Sequence, residues 1–290
     1  MPSKACGEIA TIFEALGLSN GKWTYWELEE LECKMERVIF GDNGSIKIDA
    51  DGLFYKDLNR LIRDTVLAHK PEKVKILNVC GQRYIGTNLN QYVKVEISGT
   101  PGNDLGAFMN GPVIEVLGNA QDGSGNTMNS GEIIVHGNAG DILGISARGG
   151  EIYVKGNVGY RVGIHMKEYK EKRPVLVIGG TAQDFLGEYM SGGTLILLGM
   201  GLNGNDTHKA NFIGTGMHGG AIYISGKFDE RQLGKEVGIA ELNDNDKEIL
   251  SKHVTKFANY FGYEADKLMS KNFVKLYPKS LRPYGKLYAY

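Results

Sequence analysis

Glu132 and Glu151 are the residues best placed for acid–base chemistry, because the middle of the chain repeats about every 19 residues and both fall at the same point of neighbouring units. Paired carboxylates on adjacent strands are what polysaccharide-active enzymes use, one as acid and one as base or nucleophile. A carbohydrate enzyme is therefore one reading, and a solvated rim of like charges at a coil corner is the plainer one. The six histidines, His69, His136, His165, His208, His218 and His253, show no H-x-x-x-H and no mixed His/carboxylate spacing, so no metal site is expected. Cys6, Cys33 and Cys80 stand far apart with no C-x-x-C, which argues against a disulfide framework, a zinc knuckle or a cysteine-held cluster. There is no phosphate loop of the G-x-x-x-x-G-K-[ST] type and no G-x-S-x-G elbow. No catalytic, cofactor-binding or metal residue is assigned to the chain.

Composition narrows the classes further. With 290 residues, 33 Lys+Arg against 34 Asp+Glu and 42% hydrophobic side chains, the chain can bury a large core and has no net field to favour nucleic acid. No apolar run reaches the ~18 residues of a membrane span. The stretch from Met1 to Gly21 lacks the basic, apolar and small-residue order of a signal peptide, so a cytoplasmic location is expected, with neither nucleic acid nor membrane as partner.

Glycine is the departure: 41 residues, of which 29 lie between Gly99 and Gly226. Strand-like runs end in glycine at Gly99, Gly118, Gly137, Gly156, Gly179, Gly199 and Gly226, and a second glycine follows at Gly106, Gly125, Gly144, Gly163, Gly187 and Gly214. Two and four residues before each strand-end glycine the side chains are aliphatic (Val116 and Ile114, Val135 and Ile133, Val154 and Ile152, Val177 and Val175), while the position between them is mixed. That alternation is the period of a strand with one face inward. A third column, Met109, Met128, Ala147, Met166, Met190 and Met217, reads as flexible core filling and less as soft-metal ligation. Units this short and this rich in glycine exclude helix-pair repeats and a leucine-rich repeat. The fold class is mainly β: a right-handed parallel β-helix of about seven coils, the hand following from the chirality of parallel crossovers. Its structural glycines are Gly118, Gly125, Gly137, Gly144, Gly156, Gly163, Gly179, Gly187 and Gly199.

The elements on either side divide the chain into three parts. Residues 1–90 read as an α/β cap, with helices over Glu27–Val38 and Tyr55–Ala68 and strands over Ser45–Ile48 and Val74–Val79; residues 91–226 are the β-helix. Residues 227–290 hold a helix over Asp244–Phe261, capped by Asn243, and an extended tail from Asn272. In this phasing Leu176, Ile178, Ile196 and Leu198 point outward, an apolar patch that either the Asp244–Phe261 helix or a partner subunit must cover. They are the candidate partner interface.

The coils Gly118-Asn-Ala-Gln-Asp, Gly137-Asn-Ala-Gly-Asp, Gly156-Asn-Val-Gly-Tyr-Arg-Val-Gly-Ile-His-Met and Gly179-Gly-Thr-Ala-Gln-Asp-Phe-Leu-Gly resemble the GXGXG domain of glutamate synthase, the C-terminal β-helix of its large (alpha) subunit, here as a separate chain. The resemblance covers roughly Ile46 to Gly226 and extends to the C subunit of formylmethanofuran dehydrogenase, which shares the domain. It implies a noncatalytic scaffold that joins glutaminase and FMN synthase units converting glutamine and 2-oxoglutarate to glutamate. FMN and iron–sulfur clusters would sit on the partner subunits, none on this chain. The start Met1-Pro2-Ser3 has no nucleophilic cysteine after Met1, so glutaminase activity is not expected of it. A scaffold for another redox enzyme, such as formylmethanofuran dehydrogenase, is the alternative.

Overall fold

The computed structural model describes residues 37–41, 44–203 and 206–281. The expected helix over Glu27–Val38, Cys6, Cys33 and the last nine residues of the tail lie outside the described residues, apart from Arg37 and Val38, of which Arg37 lies in a turn and Val38 opens a strand.

Nine strands stack in parallel, in sequence order: β2 (Ser45–Asp49), β3 (Lys73–Cys80), β4 (Lys94–Thr100), β5 (Asn110–Val116), β6 (Ser130–Val135), β7 (Glu151–Val154), β8 (Val175–Ile178), β9 (Ser191–Leu197) and β10 (Gly219–Ser225). Each coil brings the chain back beside its own previous strand. Like residues therefore stack: Val74, Val95, Ile114, Ile133 and Ile152 pair in one column, and Ile76, Ile97, Val116, Val135 and Val154 in the next. All ten are buried. The methionine column joins them in the interior, each thioether and Ala147 at most 1% exposed. Both strand columns extend into the N-terminal part, where β2 and β3 are joined by helix α1 (Tyr55–His69), whose Leu58, Ile62 and Val66 join the same core.

The ends of a parallel stack leave unpaired backbone groups. At one end β1 (Val38–Phe40) runs antiparallel to β2. At the other, β12 (Phe273–Pro278) pairs antiparallel with β10 and with β11 (Val237–Ala240), so part of the expected extended tail is a strand inside the sheet. Phe273, Val274, Leu276 and Tyr277 carry the strand, and Pro278, lacking an N–H, ends it.

Helix α2 spans Asp244–Phe261, the expected range, with Asn243 accepting a hydrogen bond from the Asp246 N–H and Gly262 closing the other end in the left-handed region. Its Leu250, Val254, Phe257, Ala258 and Phe261 lie on the outer sheet face over Val175, Val177, Ile196, Leu198 and Tyr223. At about 1.5–3 kcal/mol per fully buried large side chain, this second core holds the helix in place. A short helix α3 (Ala265–Met269) adds Leu268 to it.

One coil departs from the sequence phasing. The register pairs Ile152 with Leu176 and Val154 with Ile178, and the Gly180 N–H, not that of Gly179, donates to the Gly156 carbonyl. The strand is therefore shifted by one residue, which exchanges its faces. Leu176 and Ile178 point into the solenoid, Val175 and Val177 outward under α2. Ile196 and Leu198 do face outward, and α2 buries them completely. The candidate partner interface Leu176, Ile178, Ile196 and Leu198 is thus corrected: all four are buried within the chain itself. The Gly179-Gly180 pair left two choices of phase in sequence. The structure fixes it because Gly180 meets the corner of the previous coil, while a Cβ on Gly179 would meet the Phe257 ring at 2.8 Å.

Candidate functional site

At the corner after each strand, asparagine side chains form a ladder: Asn119 Oδ1 accepts from the Asn138 N–H (2.8 Å), Asn138 Oδ1 from Asn157 (2.7 Å) and Asn157 Oδ1 from Thr181 (2.8 Å). A Cβ on Gly137, Gly156 or Gly180 would stand 2.2 Å from the asparagine oxygen of the coil before. Glycine is needed there for close approach. These residues do not have positive φ; what glycine supplies here is the missing Cβ.

The polar residues nearest to a catalytic arrangement gather where α2 crosses the outer strands. Glu132 and Glu151 stack in register, as their spacing implied, but are not a freely solvated rim. Lys256 of α2 reaches both, 2.5 Å from Glu132 and 2.7 Å from Glu151, and the Tyr260 hydroxyl donates to Glu132. Tyr153 donates to Glu151 at 2.7 Å and meets His253 Nδ1 at 3.2 Å. Burial pushes the Glu151 carboxyl up, but the hydrogen bonds from Lys256 and Tyr153 outweigh it and hold the group below the usual carboxylate range. Burial, then the neighbouring carboxylates, raise the Tyr153 and Tyr260 hydroxyls, and burial lowers His253. A general acid needs a raised carboxyl, and Glu151 is shifted the other way. The arrangement fastens a helix to a sheet.

Toward the N-terminal end the same outward face is charged and partly exposed. Lys73 and Lys75 pair with Glu96, and Lys94 and His136 with Glu115. Each charge has its partner one strand away, so the face is a set of cross-strand pairs. Among the described residues, no group of three or more His, Cys, Asp or Glu could hold a metal ion.

The third side of each coil is a turn with left-handed backbone at alternate residues. The triplets Tyr84-Gly86-Asn88, Asp104-Gly106-Phe108, Gly123-Gly125-Thr127, Ile142-Gly144-Ser146, Arg161-Gly163-His165, Phe185-Gly187-Tyr189 and Phe212-Gly214-Gly216 all have positive φ. The middle residue is always glycine because a side chain there would enter the core: a Cβ on Gly125 would lie 2.3 Å from Ile152 Cδ1, and one on Gly187 2.6 Å from Ile222 Cδ1. From Gly106 on these are the second glycines of the sequence pattern, and Gly86 adds one more at the N-terminal end. The outer two positions are mostly exposed or half-buried; Thr127 is buried, and so are Gly123 and Gly216, the two that are glycine, each packed against a side chain of a neighbouring coil.

Large side chains occupy these outer positions toward the C-terminal end. Phe185 and Phe212 stack at 4.9 Å with planes 12° apart, Arg161 lies 5.1 Å over Phe185, and His165 stacks on Tyr189 at 5.5 Å. Between the two stacks Glu188 is 7% exposed, and its Oε2 has no hydrogen-bond donor. The nearest cation, Arg161 Nη1, is 3.6 Å from that oxygen. Sequence reading passed over these residues because they do not alternate like a strand. The signal was the pair of positions two before and two after each second glycine.

Comparison with known proteins agrees with this architecture. Residues 73–282 match the family model described as GXGXG motif. An uncharacterized protein of Methanocaldococcus jannaschii is 49% identical over 251 residues, spanning 84% of this chain and 96% of its own length. Among solved structures, a chain of the formyltransferase/hydrolase complex of Methylorubrum extorquens, determined with methylofuran bound, superposes with a TM-score of 0.53 at 17% identity, over 80% of this chain and 91% of that one. At that identity the likeness is one of fold. No helix among the described residues is long and apolar enough to cross a membrane.

Proposed function

The chain belongs to the GXGXG motif family, and from that premise we propose that it is a noncatalytic structural subunit of a multi-subunit oxidoreductase of the glutamate synthase type. In this reading the solenoid is a rigid frame that joins a glutaminase-domain subunit to an FMN and iron–sulfur synthase subunit, which together make glutamate from glutamine and 2-oxoglutarate. The cofactors belong to those partners. The observation that carries the reading is the state of the Glu132–Glu151 pair: the carboxylates best placed for chemistry are bound by Lys256 and Tyr260 in fixing α2. Methionines and glycines that could suggest a ligand site are accounted for by core packing.

A second reading, a frame for another redox complex such as formylmethanofuran dehydrogenase, is favoured by the shared fold with the Methylorubrum extorquens chain, which is part of a formyltransferase/hydrolase complex. Affinity purification of the full chain from native extract, with mass-spectrometric identification of the chains that accompany it, separates the two. An FMN synthase chain supports the first reading. A molybdenum or tungsten subunit supports the second and rejects the first.

A further inference from the structure

From Gly106 on, the middle glycine of each left-handed turn sends its N–H back along the stack: Gly106 to the Ile85 carbonyl, Gly125 to Leu105, Gly144 to Ser124, Gly163 to Leu143, Gly187 to Val162 and Gly214 to Leu186. Gly86 belongs to the first turn and has no earlier turn behind it. It is buried, and its N–H meets no acceptor among the described residues. A buried N–H is costly to leave unpaired, so an acceptor is wanted there. Behind this turn stands α1, and between the two lies a cleft of about 300 Å³ with Gly86 in its wall. That size is at the lower end of small-molecule sites, roughly 300–1,000 Å³.

The helix wall supplies an independent observation. Lys56, Arg60 and Arg63 stand at i, i+4 and i+7, so they share one helix face over about 10 Å, and all three line the cleft. None has an acidic partner among the described residues, whereas Lys73, Lys75 and Lys94 on the nearby strands are each paired with Glu96 or Glu115. Asp57 and Asp64 of the same helix do not line the cleft, nor does any other acid, histidine or cysteine among the described residues. Like charges at this spacing repel, and an anion between them removes the conflict. The walls are fixed to each other, because Asn59 Nδ2 donates to the Tyr55 carbonyl of the helix and to the Arg83 carbonyl of the turn, both at 2.8 Å.

We propose that this cleft binds a small ligand carrying two or more oxyanion groups, phosphate or carboxylate. One group accepts from the Gly86 N–H, and the guanidinium forks of Arg60 and Arg63 take another, with Lys56 adding a third positive charge. A row of charge this long is matched only in part by a single oxyanion. With no acid, base or nucleophile in its lining, the site binds and does no chemistry. It stands independently of the scaffold reading and leaves that reading untouched if it fails.

The test is calorimetric titration of the full chain with pyrophosphate and, separately, with citrate at fixed ionic strength. Arg60→Gln/Arg63→Gln is compared with the wild type and with Lys247→Gln/Lys252→Gln, which removes the same charge from the exposed side of α2. The expected result is one ligand per chain for at least one of the two probes, affinity lowered at least tenfold in the arginine variant and within twofold of wild type in the lysine variant. The tighter probe tells phosphate from carboxylate. Amide hydrogen exchange at Gly86 should slow at saturation, which a merely structural role of the arginines would not produce. If the glutamine variant has a lowered Tm, Arg60→Lys/Arg63→Lys takes its place, keeping the charge and removing the forks, with a loss of at least threefold expected. No saturable binding of either probe at millimolar concentration, equal losses in the arginine and lysine variants, or Gly86 exchange unaltered at saturation each overturns the proposal.

Discussion

The Lys256 ammonium lies 2.5 Å from Glu132 Oε1, a contact between residues 124 apart in the chain that ties α2 to the solenoid. The same ammonium bonds Glu151 in the next strand, so one lysine separates two carboxylates stacked at the strand spacing of about 4.8 Å. Without it the two negative charges face each other in a partly desolvated seam.

Lys256→Met should therefore destabilise the chain, and partial exposure of the network holds the loss to about 1–2 kcal/mol, below the ~3–5 kcal/mol of a fully buried pair. Urea denaturation measures it. In a Glu132→Gln/Glu151→Gln background the same substitution should cost far less, because the repulsion it exposes is gone.

The two kinds of left-handed position should respond in opposite ways. Gly125→Ala puts a methyl group 2.3 Å from Ile152 Cδ1 in a packed core and should cost about 2–4 kcal/mol. Ser146→Gly, at an outer position with φ 54°, relieves strain and should raise stability by up to about 1 kcal/mol. Thermal unfolding of the two single variants checks both signs.

Phe257 is fully buried between α2 and the outer strands, with its ring against Gly179. Phe257→Ala should cost about 3–5 kcal/mol. It should also loosen α2 before the solenoid unfolds, seen as faster amide hydrogen exchange in Asp244–Phe261 than in β4–β7.

Acid should weaken the fold in two stages. Burial lowers His208 and His253 below the ordinary imidazole value of 6.5, so under that pH the unfolded chain takes up protons that the folded chain refuses, and stability falls. Glu115 and Glu151 are raised by burial but lowered further by their hydrogen bonds, to below 4.5, so their contribution is present above that pH and is lost as pH drops through their folded values. The urea midpoint followed against pH should show both stages. A His208→Gln/His253→Gln variant should lose only the first.

Much of this fold is legible in the sequence because a solenoid repeats its own local rules. Aliphatic columns and a glycine two residues beyond them recur from coil to coil, with a methionine further on in all of these but the one that has Ala147, and α2 announces itself by Asn243 and its apolar stripe. Reading failed where two glycines stood together: Gly179-Gly180 permits either phase, and the choice depends on contact with Asn157 and Phe257, distant in sequence. The strand Phe273–Pro278 was hidden because its partners, β10 and β11, lie far back in the chain. The Glu132–Glu151 stack could be read from spacing, but Lys256 could not, since no local pattern says which helix face meets which strand.

The central claim is that this chain acts only as a frame, and glutamine-dependent formation of glutamate from 2-oxoglutarate measures that most directly. The account expects no turnover by the purified chain alone, and efficient turnover by glutaminase and synthase chains only when it is present. Full-rate synthesis by the partner chains without it, or any turnover by the lone chain, would contradict the account.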